Sequence, residues 1–292
     1  MAGNIFFTSD QIKKAVAVIQ KQRPAYTELL DFYGQIFAAQ EDSKSLIKTD
    51  PVQIPEHILS VKISEHLPLI NISDFVIDQE AAGLLLKKIC DIAQEANKDM
   101  AVSAKALIHA VDTEKIDTNL LFSNLLSGDD SFFEDISKEF EIRKNILAFI
   151  THTSIFPNLS LCAEQVSAYL KKDEKWEKGY CPVCGTLPGL SMLRGEGRFL
   201  FCGFCWQEWA VQRIYCPFCN NSDSNTLHYF YTEQEKDYRM DVCDRCKKYI
   251  KTVDARETER IIYPPLEQVS TLHLDIMAKE KGLESGVCLF LQ

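Results

Sequence analysis

Glycine and proline are sparse in this chain, at 12 and 10 of 292 residues, which excludes a collagen-like or low-complexity polymer. Positive charge is also short: 32 lysines and arginines face 42 acidic residues, for a net charge of −10. Affinity for nucleic acid comes largely from neutralising phosphates, so this balance disfavours a nucleic-acid-binding protein unless a basic face is built locally. The opening MAGNIFFTSD has no basic n-region, no apolar core of signal length and no small-residue cleavage site. No run of about 18 apolar residues is found, so no membrane partner is expected, and the cytoplasm is the expected compartment. There is no P-loop, no GxGxxG after a strand, no HExxH and no GxSxG. No nucleophile–base set is assembled, so no catalytic residue is assigned.

Apolar residues make up 46% of the chain, enough to bury a core. The first 175 residues read as helical. Ile12, Ala15, Val16 and Ile19 recur at helical spacing behind Thr8 or Ser9 as N-cap. Pro24 opens a second stripe through Tyr26, Leu29, Leu30, Tyr33, Ile36 and Phe37. Residues 41–78 carry Pro51, Pro55 and Pro68 and read mainly as loop with one short helix. Asp78 caps a helix burying Ala82, Leu85, Leu86, Ile89 and Ala93. Further helices are predicted over 101–111, 114–126, 130–151 and 160–172. Cys90 and Cys162 fall in such stripes and read as buried thiols.

The texture changes near Trp176. Strand-like runs follow at Leu190–Leu193, Arg198–Phe201, Trp209–Ile214, Leu227–Thr232 and Tyr238–Val242. Arg194-Gly195-Glu196-Gly197 reads as a hairpin turn, and the acidic run Glu233–Asp237 as a solvated hairpin tip. Beyond Tyr263-Pro264-Pro265, a helical stripe runs through Leu266, Val269, Leu272, Ile276 and Met277 and stops at Gly282. It is too short to stand alone, so it must dock on the helical part or on the cysteine-rich part. The domains expected are 1–175, 176–214, 215–262 and a C-terminal helix and tail over 263–292.

Cysteine is the abundant exception. Eight of the 11 cysteines lie between 181 and 246, as four C-x2-C pairs: Cys181/Cys184, Cys202/Cys205, Cys216/Cys219 and Cys243/Cys246. Cytoplasmic thiols are kept reduced, which favours metal over disulfides. Two residues between cysteines let a tight turn aim both sulfurs at one ion, and two such turns complete a tetrahedron. Gaps of 17 and 23 residues separate the members of each half, and only 10 separate the halves. Hairpin strands inside each gap favour sequential pairing over interleaved pairing. The expectation is two tetrahedral metal ions, each held by four cysteines. One sits on Cys181, Cys184, Cys202 and Cys205, the other on Cys216, Cys219, Cys243 and Cys246. A tetrahedron of four sulfurs suits zinc and iron equally. Segment 178–251 has ten basic and eight acidic residues; two such sites bring it to about −2, which again disfavours nucleic acid.

The segment from Gly179 to Val253 resembles the FdhE family of formate dehydrogenase accessory proteins. The resemblance rests on more than cysteines: Glu208 and Trp209 follow Cys205, Arg213 precedes Cys216, and Asp244, Tyr249 and Lys251 surround Cys243 and Cys246. It extends to TLHLDIMAKEKG, whereas the tail GVCLFLQ departs from the Asn-Pro expected of many members. It implies an α+β multi-domain fold: an α-helical N-terminal domain, two tandem rubredoxin-like or zinc-ribbon modules and a C-terminal helix. It also implies iron, and a non-enzymatic cytoplasmic factor whose partner is the catalytic subunit of respiratory formate dehydrogenase. The alternatives are a rubredoxin-like electron-transfer or redox-sensing protein and, third, a nucleic-acid-binding zinc ribbon. Trp206, Glu208, Trp209, Arg213, Asp244, Tyr249 and Lys251 are the candidates for supporting the metal sites or meeting the partner. Of them, Trp206 and Trp209 are expected to pack over a metal knuckle, and Arg213 and Lys251 to offset thiolate charge. The six histidines are scattered, with His228 and His273 nearest the motifs, and Cys288 is expected to be exposed.

Overall fold

The computed structural model describes residues 7–170, 176–195, 197–231 and 235–286. Glu196, part of the acidic run at 233–234, and Cys288 lie outside them. The chain forms two compact units, one of 7–52 with Ile72–Cys162, the other of Gln53–Asn71 with 163–286. The second unit therefore takes two described stretches that precede residue 175, the residues from Ala163 on and segment 53–71. There Leu69 and Ile70 donate backbone hydrogen bonds to the carbonyls of Pro182 and Val183, each at 2.9 Å.

The first unit is helical: α1 (Ser9–Gln22), α2 (Thr27–Ser43), then α4 (Gln79–Gln94), α5 (Lys98–Asp112), α6 (Thr118–Ser127), α7 (Asp130–Glu139) and α8 (Lys144–Ser167), with α3 (Glu56–Ser64) in the other unit. Thr8 and Gln11 form a capping box on α1, and Asp78 caps α4 by accepting from Ala81 N. Ile12, Ile19, Leu30, Ile36, Leu86 and Ile89 are fully buried, as their spacing predicts. Cys90 and Cys162 are buried, and burial pushes the Cys90 thiol up to about 12.

One expectation fails here. The predicted helices at 130–151 and 160–172 are instead α7, a break at 140–143 and then the single helix α8, with Pro157 inside it. Proline lacks the N–H that would bond the carbonyl four residues back. That carbonyl, Thr153 O, takes Gln40 Nε2 at 2.8 Å instead, so a side chain from α2 makes the proline tolerable. By length and composition α8 could cross a membrane, contrary to the sequence reading, but 83% of its apolar window is buried inside the protein. It is a core helix.

Among the described residues of the second unit, seven strands make one sheet: β1 (Pro188–Arg194), β2 (Gly197–Cys202), β3 (Glu208–Val211), β4 (Leu227–Phe230), β5 (Tyr238–Cys243), β6 (Lys248–Asp254) and β7 (Glu284–Ser285). Their order is β3-β2-β1-β6-β5-β4, with β7 on β6. β3-β2-β1 and β6-β5-β4 are each antiparallel ribbons. They join through parallel β1 and β6, with Ser191, Met192 and Leu193 opposite Thr252, Val253 and Asp254. The two cysteine modules thus share a sheet. β6 escapes a sequence reading because Lys248 and Lys251 interrupt its apolar pattern.

Side chains alternate across the sheet. One face presents Leu190, Met192, Tyr238, Met240, Val242, Tyr249 and Val253 to Leu274 and Ala278. These last two lie on α10 (Leu272–Glu280), which follows α9 (Pro264–Ser270) after a break at Thr271. The C-terminal stripe is therefore two helices, and the break changes its phase. Leu274 and Ala278 are buried while Ile276 is 61% exposed. The docking is on the cysteine-rich sheet, and Gly282 leaves the helix at φ +70° as predicted.

Candidate metal centres

The eight cysteines gather into two groups of four: Cys181, Cys184, Cys202 and Cys205, and Cys216, Cys219, Cys243 and Cys246. This is the sequential pairing. In the first group Sγ–Sγ distances are 3.8 Å for Cys181–Cys205, 3.5 Å for Cys184–Cys202 and 3.7 Å for Cys184–Cys205. In the second they are 3.7 Å for Cys216–Cys246 and 3.6 Å for Cys219–Cys243. A tetrahedron with metal–sulfur bonds of about 2.3 Å has edges of about 3.8 Å. The sulfurs therefore fit around a single ion in each group.

The turns that aim them repeat a local device. The residue after each second cysteine takes the left-handed conformation: Gly185 at φ +77°, Trp206 at +58°, Asn220 at +58° and Lys247 at +59°. Three of the four donate their N–H to the carbonyl of the first cysteine, at 2.9 Å for Gly185, 3.0 Å for Asn220 and 2.8 Å for Lys247. The N–H of Cys181, Cys202 and Cys216 in turn donates to the carbonyl five residues on, of Thr186, Gln207 and Asn221. Left-handed backbone costs a non-glycine residue about 1 kcal/mol or more, so its recurrence at all four turns signifies that they hold a geometry required by the sulfurs.

Hydrogen bonds to sulfur complete the cradle. Phe204 N and Cys205 N lie 3.3 and 3.4 Å from Cys202 Sγ. Asn221 Nδ2 donates to Cys243 Sγ at 3.4 Å and to Thr226 Oγ1 at 2.8 Å. Asn221 is absent from the sequence candidates; its offset of five from Cys216, matching Thr186 after Cys181, is the signal that marks it. Burial pushes the Cys181 and Cys205 thiols up, while hydrogen bonds from Cys181, Cys202 and Cys205 pull Cys184 down. In the second group, burial pushes Cys216 up. Burial opposes ionisation of Cys243 as well, but bonds from Asn221 and the backbone overcome it and bring it to about 7. Four buried sulfurs cannot all be thiolates without a counter-charge, and a divalent cation is the charge that the four converging atoms accommodate. The first group is wholly buried, whereas Cys219 and Cys246 are half-buried.

The other candidates are dispersed. Trp206 packs against the sheet core near Phe201, with ring centroids 6.5 Å apart. Trp209 is buried and donates Nε1–H to Lys178 O at 3.2 Å. Glu208 pairs with Arg194; burial raises its carboxyl against the pull of that arginine. Asp244 meets His228 Nε2 at 2.7 Å. Lys251, expected near thiolate, is instead sealed beneath α9 and α10, donating to Gln268 O at 2.8 Å and Asp275 Oδ2 at 2.6 Å. Tyr249 donates to the other oxygen of Asp275 at 2.8 Å. Both residues point to the helix-bearing face because they alternate with Ile250 along β6. Arg213 is exposed and makes no ion pair with a described residue.

Gly179 explains how the first module meets the second. A Cβ there would stand 1.9 Å from Pro217 O, so only glycine allows the segment entering the first knuckle to pass the second.

The family model "FdhE, central domain" matches residues 180–213. A "Protein FdhE homolog" of Aquifex aeolicus strain VF5 is 25% identical over 272 residues, covering 91% of this chain and 89% of that protein. The "Protein FdhE" of Escherichia coli O1:K1 / APEC is 31% identical over 137 residues, 44% of this chain and 43% of that one. The crystal structure of the FdhE protein from Pseudomonas aeruginosa has the same fold, at a TM-score of 0.68 and 19% identity, covering 97% of this chain and 95% of that one.

Proposed function

We propose that the chain, which is similar to FdhE proteins, is an accessory factor for assembling the catalytic subunit of a respiratory formate dehydrogenase. The observation that carries this reading is the pair of closed four-cysteine groups built into one sheet. Four sulfurs fill a tetrahedral ion's positions and leave none for substrate, which suits a metal that shapes a surface rather than one that performs catalysis. Iron is the metal implied by the family resemblance, and zinc fits the same sulfurs. The ions hold four knuckles in register, and the surface so held receives the unfinished subunit in the cytoplasm.

Deleting the gene tests this. Formate dehydrogenase polypeptide should still be made but remain inactive, and activity should return when the gene is restored. Active enzyme in the deletion strain would remove the proposal.

The half-exposed Cys219 and Cys246 favour one second reading, electron transfer through the second site. It requires iron and a reversible one-electron couple, so colourless protein with stoichiometric zinc would eliminate it.

A further inference from the structure

On the sheet face turned away from α9 and α10 lies a cavity of about 380 Å³, within the size range of small-ligand pockets. Five cationic side chains line it: Arg198, Arg213, Arg239, Lys248 and Arg256. Asp241 is the one carboxylate among the lining residues, and Cys216 and Cys243 of the second four-cysteine group line the cavity as well. This excess stands in a chain of net charge −10. We propose that the pocket binds a small molecule carrying a phosphate monoester.

Alternation along the strands builds the floor. Arg198 on β2, Arg239 and Asp241 on β5 and Ile250 on β6 share the face opposite the Leu274 core. Asp241 holds two of the arginines in place: Arg198 at 3.0 Å through Oδ2 and Arg239 at 2.9 Å through Oδ1. Arg198 also donates to Tyr215 O at 2.7 Å and Ser191 Oγ at 3.0 Å. One carboxylate shared between two guanidinium groups leaves a net positive floor. At the rim, Arg213 has no ion pair with a described residue, and Lys248 lies over the Phe218 ring at 5.9 Å. Arg256 is held by Asp254.

Neutralising the adjacent four-cysteine site accounts in part for Arg198, which feels the charge of Cys216; among the described residues, none of the other four cations is bonded to the site's sulfurs. The side-chain donor on its sulfurs is Asn221, and the remaining bonds come from backbone N–H groups. Four of the five cations are arginines, whose planar forks match tetrahedral oxyanions. Cations gathered around a single cavity of this volume suit a small molecule better than an extended acidic peptide.

The test is calorimetric titration of the full-length, metal-loaded protein with AMP, inorganic phosphate, adenosine and hexaglutamate in turn. AMP should bind saturably at one site, phosphate should compete with it, and adenosine should not bind. An Arg213→Gln/Lys248→Gln variant of unchanged metal content and melting temperature should weaken AMP by about tenfold or more, because two charge-assisted contacts are lost. Absence of saturable AMP and phosphate binding at millimolar concentration would overturn the proposal, as would equal affinity in the variant. Tighter binding of hexaglutamate than of AMP would overturn it in favour of an acidic peptide. The proposal does not depend on the partner reading: AMP binding by a protein that fails to retain the dehydrogenase subunit would keep this inference and remove the other.

Discussion

Arg198 and Asp241 pair at 3.0 Å across the junction where the two cysteine ribbons become one sheet. Arg198 lies on β2 and Asp241 on β5, with β1 and β6 between them, and the Arg198 side chain is 3% exposed. The same guanidinium donates to Tyr215 O, one residue before Cys216. It is therefore a buried tie between the first ribbon and the knuckle of the second site. Losing Arg198 leaves Asp241 its second partner, Arg239, so the cost is that of the buried charged group's lost hydrogen bonds, about 2–3 kcal/mol, and not that of a wholly uncompensated charge. Arg198→Met should lose about that much in denaturant unfolding of the metal-loaded protein, and should speed metal loss from the second site. A loss below about 1 kcal/mol would mean the tie is not stabilising, as for an exposed pair.

Lys247 tests the strained turns. Its φ is +59°, and its ion pair with Asp244 is exposed and long at 3.6 Å. Lys247→Gly should be neutral or stabilise by up to about 1 kcal/mol by relieving the left-handed strain. Lys247→Val should destabilise by about 1–2 kcal/mol. Thermal unfolding with metal bound reads both, and the reverse order would refute the account of the knuckle.

The cysteine spacing is enough to assign both groups and their pairing, because C-x2-C turns and intervening hairpins are local features. The join between the ribbons is not legible in the sequence, because parallel pairing of β1 with β6 links residues about 60 apart along the chain. Arg198 escapes notice for the same reason: its partners Tyr215 and Asp241 become neighbours only in the sheet. Lys251 illustrates the opposite failure. Proximity to Cys246 in sequence suggests a role at the metal, yet strand alternation turns its side chain to Asp275 on the other face. In the helical unit the apolar stripes locate α1, α2 and α4. Pro157 misleads because Gln40 supplies the lost hydrogen bond from another helix.

Metal removal should separate the two sites. Cys219 and Cys246 are half-buried while the whole first group is buried, so a chelator should empty the second site first. Each site contributes on the order of 10 kcal/mol to folding its module, so the sheet should melt as metal leaves. The helical unit has its own core of Ile12, Ile19, Leu86 and Ile89 and should keep its far-ultraviolet circular dichroism. Metal per protein against time, with Cys219→Ser and Cys184→Ser proteins alongside, distinguishes this order from simultaneous loss.

Asp78 predicts an acid-range effect. Hydrogen bonds from the backbone N–H groups of Ala81 and Lys48 hold its carboxyl below the ordinary aspartate value. Because the folded value is depressed, its stabilisation is full above the unfolded value and is lost as pH falls through the folded one. Asp78→Asn keeps the cap on α4 but loses the acceptor for Lys48 N, at a cost of about 1 kcal/mol near neutrality. Its melting temperature should fall less than that of the native protein as pH drops below about 4. Parallel pH profiles would contradict the assignment.

The most direct test of the account is retention of the formate dehydrogenase catalytic subunit by the purified protein, without oxygen, with metal content assayed in each preparation. The native protein should retain the subunit at two metal ions per chain, and a Cys216→Ser/Cys219→Ser variant lacking the second ion should not. Failure of the metal-replete protein to retain the subunit would contradict the account.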